Sequence, residues 1–299
     1  MNHNDSRILV AGATGVVGGL VVRKLLAADI PVRALGRNPV KLAALAELGA
    51  ETVALDLLDR AAVTRACDGI EQIYSTANNV MGHGASSPNR IDVRAHETLC
   101  DAARTAGVRR FVYLSGRGLD ADSPVDFFRI KHAIEEVIHP CGVPFVFIRP
   151  GAFMETWIGM IADGIRKNKT AVMFGDGLRV SNLIASEDVA EYSLRVLQRA
   201  DIANEVIDIG GPDNVSQDAL VTLLERHFGV PVRRRRIPVP VLWTGGLLLR
   251  PFNEVVSRMM RMGYFSATRD APFADWEISA KRFNVSPMSV ETFVRGLPL

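Results

Sequence analysis

Short apolar runs alternate with amphipathic segments through the first half of the chain. Ile8-Leu9-Val10 is followed by a glycine-rich turn and then by Val16 to Ala28, where Arg23 and Lys24 leave one wet face. Val32 to Leu35 precedes Pro39 to Leu48, in which Leu42, Leu45 and Leu48 recur at helical spacing behind a first-turn proline. The alternation predicts further strands at Thr52 to Leu55, Gln72 to Tyr74, Arg110 to Leu114 and Phe145 to Ile148. Helices are predicted between them at Ala61 to Cys67, Asp92 to Ala106 and Asp126 to His139. Short buried strands joined by single helices pair in parallel through right-handed crossovers. The pattern therefore predicts an α/β fold built on a doubly wound parallel sheet.

After Pro150 the rhythm loosens. Helices are predicted at Gly159 to Asn168, Ser186 to Gln198 and Ser216 to Phe228, with Ser216 as cap and Gly229 past the end. Val180 to Ile184 and Val206 to Ile209 read as extended, and Val230 to Leu299 as mixed. This divides the chain into a nucleotide-binding domain over residues 1–154 and a smaller, partly discontinuous substrate domain over 155–299. Residues 180–211 are expected to return to the first sheet.

Composition narrows the class. Of 299 residues, 48% are hydrophobic and 23% charged, enough apolar side chains to exclude disorder as the main state. A net charge of +2 argues against a nucleic-acid binder or a polybasic membrane anchor. Arg233 to Arg236 is the one charge run. On a strand its side chains point to alternating faces, and no aromatic residues are interleaved. Cys67, Cys100 and Cys141 lie far apart in sequence, with neither metal-ligand spacing nor a disulfide framework. No metal is expected, and the cysteine usage fits a reducing cytoplasm. Met1 to Arg7 is polar, unlike an export signal. The longest apolar stretch, Ile237 to Leu249, is shorter than the roughly 20 residues of a spanning helix and reads as a buried element or a substrate-pocket wall.

Candidate chemistry begins at Ala11-Gly12-Ala13-Thr14-Gly15-Val16-Val17-Gly18, which follows a strand and opens a helix. Glycines there permit a tight turn and close backbone approach, so that N–H groups at the helix start face a pyrophosphate. Gly12, Thr14, Gly15, Val16, Val17 and Gly18 are the expected cofactor contacts of a Rossmann fold. An NAD site places a carboxylate at the end of the second strand, for the ribose hydroxyls. Here that strand ends Gly36-Arg37-Asn38-Pro39-Val40-Lys41, without one. A guanidinium pairs with the extra phosphate of NADP where a carboxylate repels it. Arg37, with Asn38 beside it and Lys41 as second cation, therefore favours NADP(H) over NAD(H).

Taken together, the loop with Thr14, the Arg37-Asn38-Pro39 turn, Asp56-Leu57 with Asp59, and Ile148-Arg149-Pro150-Gly151-Ala152-Phe153-Met154-Glu155 resemble the NmrA-like group. That group belongs to the atypical short-chain dehydrogenase/reductase superfamily. The resemblance runs from about Arg7 to Val232. It implies that Asp56 and Leu57 flank the adenine, that Thr76 and Ala77 run beside the cofactor, and that the Pro150-Gly151 loop, with Phe153 after it, covers the nicotinamide. It also implies that Asp126-Phe127-Phe128-Arg129-Ile130-Lys131 stands where many superfamily members carry Tyr-x-x-x-Lys. Phe127 occupies the tyrosine position and has no exchangeable proton. Lys131 is then the expected ribose ligand and proton-transfer group, and Ser115, at the end of the fifth strand, the hydroxyl that orients a substrate. Tyr113 reads as packing. His83, in the loop after the fourth strand, stands either beside the nicotinamide or in solvent.

These residues support an NADPH-dependent oxidoreductase that transfers hydride to a small carbonyl, quinone or activated double bond. The alternative is a redox sensor of NmrA type, which binds NADP(H) without turnover. The expected partners are a small-molecule substrate and a second copy of the chain, with no nucleic acid and no membrane.

Overall fold

The computed structural model describes residues 7–79, 82 and 87–299; His83 lies outside them. The first half runs β1 (Ile8–Ala11), α1 (Val16–Ala27), β2 (Val32–Gly36), α2 (Pro39–Ala46), β3 (Glu51–Ala54) and α3 (Arg60–Ala66). It continues with β4 (Gln72–Ser75), α4 (Pro88–Thr105), β5 (Arg110–Leu114), α5 (Asp126–Ile138) and β6 (Phe145–Pro150). The second half opens with β7 (Ala152–Phe153), α6 (Met154–Asn168), β8 (Thr170–Phe174), β9 (Val180–Ile184), α7 (Ser186–Gln198) and β10 (Glu205–Ile209). It ends with β11 (Asn214–Ser216), α8 (Gln217–Phe228), β12 (Arg233–Ile237), α9 (Val239–Leu248), α10 (Glu254–Thr268), α11 (Trp276–Phe283) and α12 (Val290–Arg295).

The predicted sheet is present, with seven strands in the order β10-β6-β5-β4-β1-β2-β3. Pairing is parallel at each junction from β6 to β3. The chain winds outward from β1 to β3, then returns to the other side of β1 with β4. That reversal leaves a crevice at the carboxyl ends of β1 and β4, where doubly wound sheets bind ligands. All residues of β1 and β5 are buried, which is why they read as unbroken apolar runs. Leu9, Leu35, Ile73, Leu99, Phe111 and Ile134 lie in the core against this sheet.

Two compact units divide the described chain. The first takes the residues up to Ala121 together with Phe127–Arg149 and Val189–Ile207; the second takes Asp122–Asp126, Pro150–Asp188 and Asp208–Leu299. The segment 180–211 is split. β10 joins the seven-stranded sheet, whereas β9 pairs with β11 and β7 in a separate one. The second unit packs its own core around Met154, Ile158, Ile161, Leu183, Leu220 and Leu224.

Several elements differ from the sequence expectation. Helix α4 starts at Pro88, four residues before Asp92, because a proline with fixed φ is suited to a first turn. Helix α6 begins at Met154 and carries Gly159 and Gly164 inside it, and at Gly164 a Cβ would stand 2.6 Å from the Thr170 carbonyl. The arginine run forms β12, parallel to β8. Arg234 is held by Asp218 and Glu225, while Arg233, Arg235 and Arg236 are exposed. Ile237 to Leu249 is not a buried element. It forms α9, which buries Leu242 and Gly246 and leaves Val241, Trp243, Leu247 and Leu248 exposed. Gly245 and Gly246 lie against Met260 and Arg261 of α10 with no room for a Cβ, so only one narrow face of α9 is used in packing. Among the described residues no helix is long and apolar enough to cross a membrane.

Buried Arg110, at the start of β5, ties the sheet to the end of α7. Its guanidinium donates to the carbonyls of Val196, Leu197, Arg199 and Ile202 and to Gln72 Oε1. These carbonyls belong to the last turn of α7 and the segment just after it, where the regular helical ladder of donors ends. Arg110→Met should therefore lower unfolding free energy by about 3–5 kcal/mol, the range for removing one partner of a buried charged network. Urea denaturation measures it, and Arg110→Lys, with fewer donors, should fall between the two.

Candidate functional site

The β1–α1 turn is held by contacts that admit no side chain. Gly12 has φ +85°, and a Cβ on it would lie 2.9 Å from the Ala77 amide nitrogen. A Cβ on Gly18 would stand 2.2 Å from the Gly12 carbonyl oxygen. Both glycines are required by packing alone. Gly15 differs: it is the N-cap of α1 with ordinary dihedrals, and a Cβ there meets only the Gly12 carbonyl at 3.3 Å. No side chain caps α1, no acidic residue stands in its first turn, and Val16 is exposed. Uncapped amides and the positive end of the helix dipole therefore face open space, the local arrangement that takes an anion. Thr76 donates its amide to the Ala11 carbonyl, and its side chain lies against Gly18.

Beside this turn is an open cavity of about 480 Å³ lined by Thr14, Arg37, Asn38, Pro39 and Lys41. It contains two cations and no carboxylate. Arg37 is exposed and reaches the Asn79 side chain at 3.4 Å. Asn38 has a structural task, because its Oδ1 accepts from the amides of Val40 and Lys41 and caps α2. Gly36 gives Thr14 its place: a Cβ there would sit 2.7 Å from the threonine methyl group. Asp56 is exposed and accepts from the Leu58 amide, while Leu57 packs on the sheet core.

Lys131 is buried on α5. Its Nζ donates to the Leu114 carbonyl at 2.6 Å and lies 4.6 Å from the centre of the Tyr113 ring and 5.8 Å from that of Phe127. Burial lowers its pKa to about 8, although Asp92 and Glu135 pull the other way. Glu135 is itself held by a two-pronged contact from Arg149. Ser115 is buried at the end of β5, and its Oγ has no hydrogen-bond partner among the described residues. The Tyr113 hydroxyl is likewise buried and unpartnered, with its pKa raised well above the usual phenol value by burial.

The sequence reading missed His96. Its Nδ1 lies 2.7 Å from the Asp92 carbonyl and its Nε2 2.9 Å from Ser75 Oγ. Burial lowers its pKa to about 4, so the ring is neutral near pH 7. A carbonyl only accepts, so Nδ1 carries the proton and the Ser75 hydroxyl donates to Nε2. The ring stands edge-on to Tyr113 at 5.0 Å. Ser75, His96, Tyr113 and Lys131 thus form a continuous buried layer beneath the ends of β4 and β5. The available signal was Asp92-x-x-x-His96, two polar residues on one face of a helix otherwise packed on the core.

Pro150, Gly151 and Phe153 belong to the second unit. Gly151 donates its amide to the Ile209 carbonyl, and a Cβ on it would stand 2.9 Å from the Asn182 carbonyl oxygen. Buried Asn182, also missed, bonds both backbone groups of Gly211 through its amide. Phe153 is the N-cap residue of α6.

Against known proteins, the model of the NmrA-like family matches residues 4–294, well past the Val232 limit of the sequence resemblance. An NAD(P)H azoreductase of Xenophilus azovorans is 32% identical over 227 residues, covering 76% of this chain and 75% of the azoreductase. A photosystem II assembly factor of Cyanophora paradoxa is 26% identical over 285 residues, covering 91% of this chain and 87% of the factor. Among solved structures, the NADPH-dependent quinone oxidoreductase of Escherichia coli complexed with NADPH superimposes with a TM-score of 0.79 at 22% identity, covering 96% of this chain and 98% of that one. At that identity the likeness speaks for the fold, which it shares.

Burying Lys131 has a cost that stability measurements can read. Its folded-state pKa, about 8, lies below the ordinary lysine value of 10.5, so the unfolded chain binds the extra proton between those limits. Stability contributed by this site therefore rises with pH across that window. Lys131→Met should stabilise the cofactor-free protein at pH 7 by roughly 1–3 kcal/mol, with the gain shrinking to nothing near pH 10.5. Urea denaturation at pH 7 and pH 10 checks both sign and slope.

Proposed function

We infer that this chain, which belongs to the NmrA-like family, is an NAD(P)H-dependent oxidoreductase that prefers NADP(H) and reduces a small carbonyl, quinone or activated double bond. The observation that carries this reading is Lys131, a buried ammonium with a pKa near 8, in the unit that also holds the uncapped α1 turn and the cation-lined cavity. The azoreductase relative supports the same class of chemistry.

The residues present fit a dinucleotide. Gly15 keeps open space that a side chain would fill, and the α1 amides are left for the pyrophosphate. Arg37 and Lys41 are the groups for the 2′-phosphate, and Thr14 of the turn lines the same cavity. The family resemblance assigns Asp56, Leu57, Thr76 and Ala77 to the adenine and ribose side and Pro150, Gly151 and Phe153 to the nicotinamide. When bound, the reduced nicotinamide supplies hydride; the chain must supply the proton. Phe127 has none to give. A proton-transfer group works best with a pKa near the operating pH, which Lys131 meets through burial. Ser115 Oγ, buried and unpartnered, is the hydroxyl for orienting a substrate oxygen.

A second reading, an NADP(H)-binding regulator without turnover, draws support from the assembly-factor relative and from Phe127. Both readings require the same cofactor site and differ in whether Lys131 moves a proton.

Arg37→Ala should weaken NADP(H) binding by about 1.5–3 kcal/mol, the range for hydrogen bonds to a charged group, and leave NAD(H) nearly unchanged. Calorimetry with both cofactors checks this, and equal losses would remove Arg37 from the phosphate. Lys131→Met should cut turnover of quinone, enone or aldehyde acceptors by roughly 10²–10⁴-fold, with a much smaller loss of NADPH affinity. NADPH oxidation followed by absorbance across those acceptors measures it. Wild-type protein that leaves bound NADPH unchanged under every acceptor favours the regulator.

A further inference from the structure

Two cysteines that are remote in sequence meet at one surface cavity on the first unit. Cys100 lies on α4 within the core, and Cys141 lies three residues past the end of α5, half-exposed. Both line an open cavity of about 280 Å³, together with Arg60, Glu97, Asp101 and Arg104. Arg60 and Arg104 each reach Asp101 at 3.2 Å, which brings two guanidinium groups to the cavity wall. Cys67 is fully buried and lines no part of it.

We propose that Cys100 and Cys141 are a redox-active thiol pair, oxidised to an intramolecular disulfide by hydroperoxides that enter this cavity. The assignment is independent of the cofactor reading. Cys141 is the attacking sulfur. A hydrogen bond from the Cys100 side chain lowers its pKa to about 6 against the opposing effect of desolvation, and Arg104 acts in the same direction as the hydrogen bond. Cys100 is driven the opposite way by that hydrogen bond and by burial, and so keeps its proton. Such an asymmetric, partly accessible pair near fixed positive charge is the setting in which one thiol attacks and the other resolves.

The steps balance. Cys141 thiolate attacks the terminal oxygen of a hydroperoxide; an S–O bond forms, the O–O bond breaks, and the departing alkoxide takes a proton from solvent to become an alcohol. Cys100 sulfur then attacks the sulfenic sulfur; the S–S bond forms, the S–O bond breaks, and hydroxide leaves with the Cys100 proton as water. Two thiols lose two electrons and the peroxide gains them. The disulfide links α4, which carries Asp92 and His96, to the turn after α5, which carries Lys131.

The test uses the full chain, reduced, desalted and treated with equimolar hydrogen peroxide, then alkylated and mapped by mass spectrometry. The expected product is a Cys100–Cys141 peptide lighter by the two thiol hydrogens, reversed by dithiothreitol, with Cys67 alkylated as a free thiol. In Cys100→Ser, dimedone should trap a sulfenic acid on Cys141. In untreated wild type, iodoacetamide should label Cys141 on the order of 10²-fold faster than Cys67, since Cys141 is half-exposed with the larger thiolate fraction whereas Cys67 is fully buried. Equal labelling rates would overturn the proposal without recourse to a variant. So would peroxide treatment that carries Cys141 to sulfinic acid as readily in wild type as in Cys100→Ser, with no crosslink.

Discussion

One close backbone approach governs the first unit: Gly12 against Ala77, and Gly18 against Gly12. With gaps of 2.9 and 2.2 Å at the positions where Cβ atoms would stand, neither contact tolerates a side chain. This approach lets β1, β4 and α1 converge, and the Thr76 amide then bonds the Ala11 carbonyl at the sheet's reversal point. It also sets where the start of α1 points. The uncapped amides and the cation-lined cavity both follow from how tightly strand and helix are joined. Gly15 serves another purpose, because its own backbone and surroundings nearly accept an alanine. The same glycine spacing thus combines two requirements, one of packing and one of space for a ligand.

The unit buries several polar groups, and they are satisfied to different degrees. Arg110 and Arg33 spend their donors on carbonyls and side chains nearby, so their burial stabilises the fold. Neutral His96 has both ring nitrogens paired. Lys131 bonds one carbonyl among the described residues, and Ser115 Oγ bonds nothing. Incomplete satisfaction is destabilising, and Tyr113, Ser115 and Lys131 bring it together at the end of β5. Burial that costs stability there also shifts the lysine toward neutral pH, so the energetic weakness and the chemical usefulness have one origin.

The parallel sheet was legible because strands buried on both faces leave unbroken apolar runs, and the helices between them leave a wet face. Shorter strands left no such trace. β7 and β11 are half-buried, and β8 alternates too briefly to stand out beside Gly175 and Gly177. Helices α9 and α10 were hidden because close packing through Gly245 and Gly246 breaks the link between apolar sequence and burial. At the site, the glycine turn and Arg37 were legible as chemistry, whereas Lys131 was recognised only through family resemblance. His96 and the meeting of Cys100 with Cys141 depend on how helices lie against the sheet, and periodicity within one element carries no information about its neighbour. Nor does a sequence reveal that Asn38 and Asp56, read as ligand contacts, already serve as a helix cap and a turn.

Phe127 connects these observations. Its ring lies near Lys131 Nζ and against Gly116, and with Tyr113 it surrounds the ammonium with aromatic carbon. Replacing a phenol by phenylalanine removes a proton donor, and it also removes a polar partner that would stabilise the charged lysine. The ammonium then relies on the Leu114 carbonyl and on ring faces, a poorer exchange for water than a full set of acceptors. Desolvation outweighs the attraction of Asp92 and Glu135, and the pKa falls toward neutrality. The absence of a phenol at position 127 and the lowered pKa of the lysine therefore share a single apolar wall. The apolar wall that withholds a phenol at position 127 is also what lets Lys131 exchange a proton near pH 8.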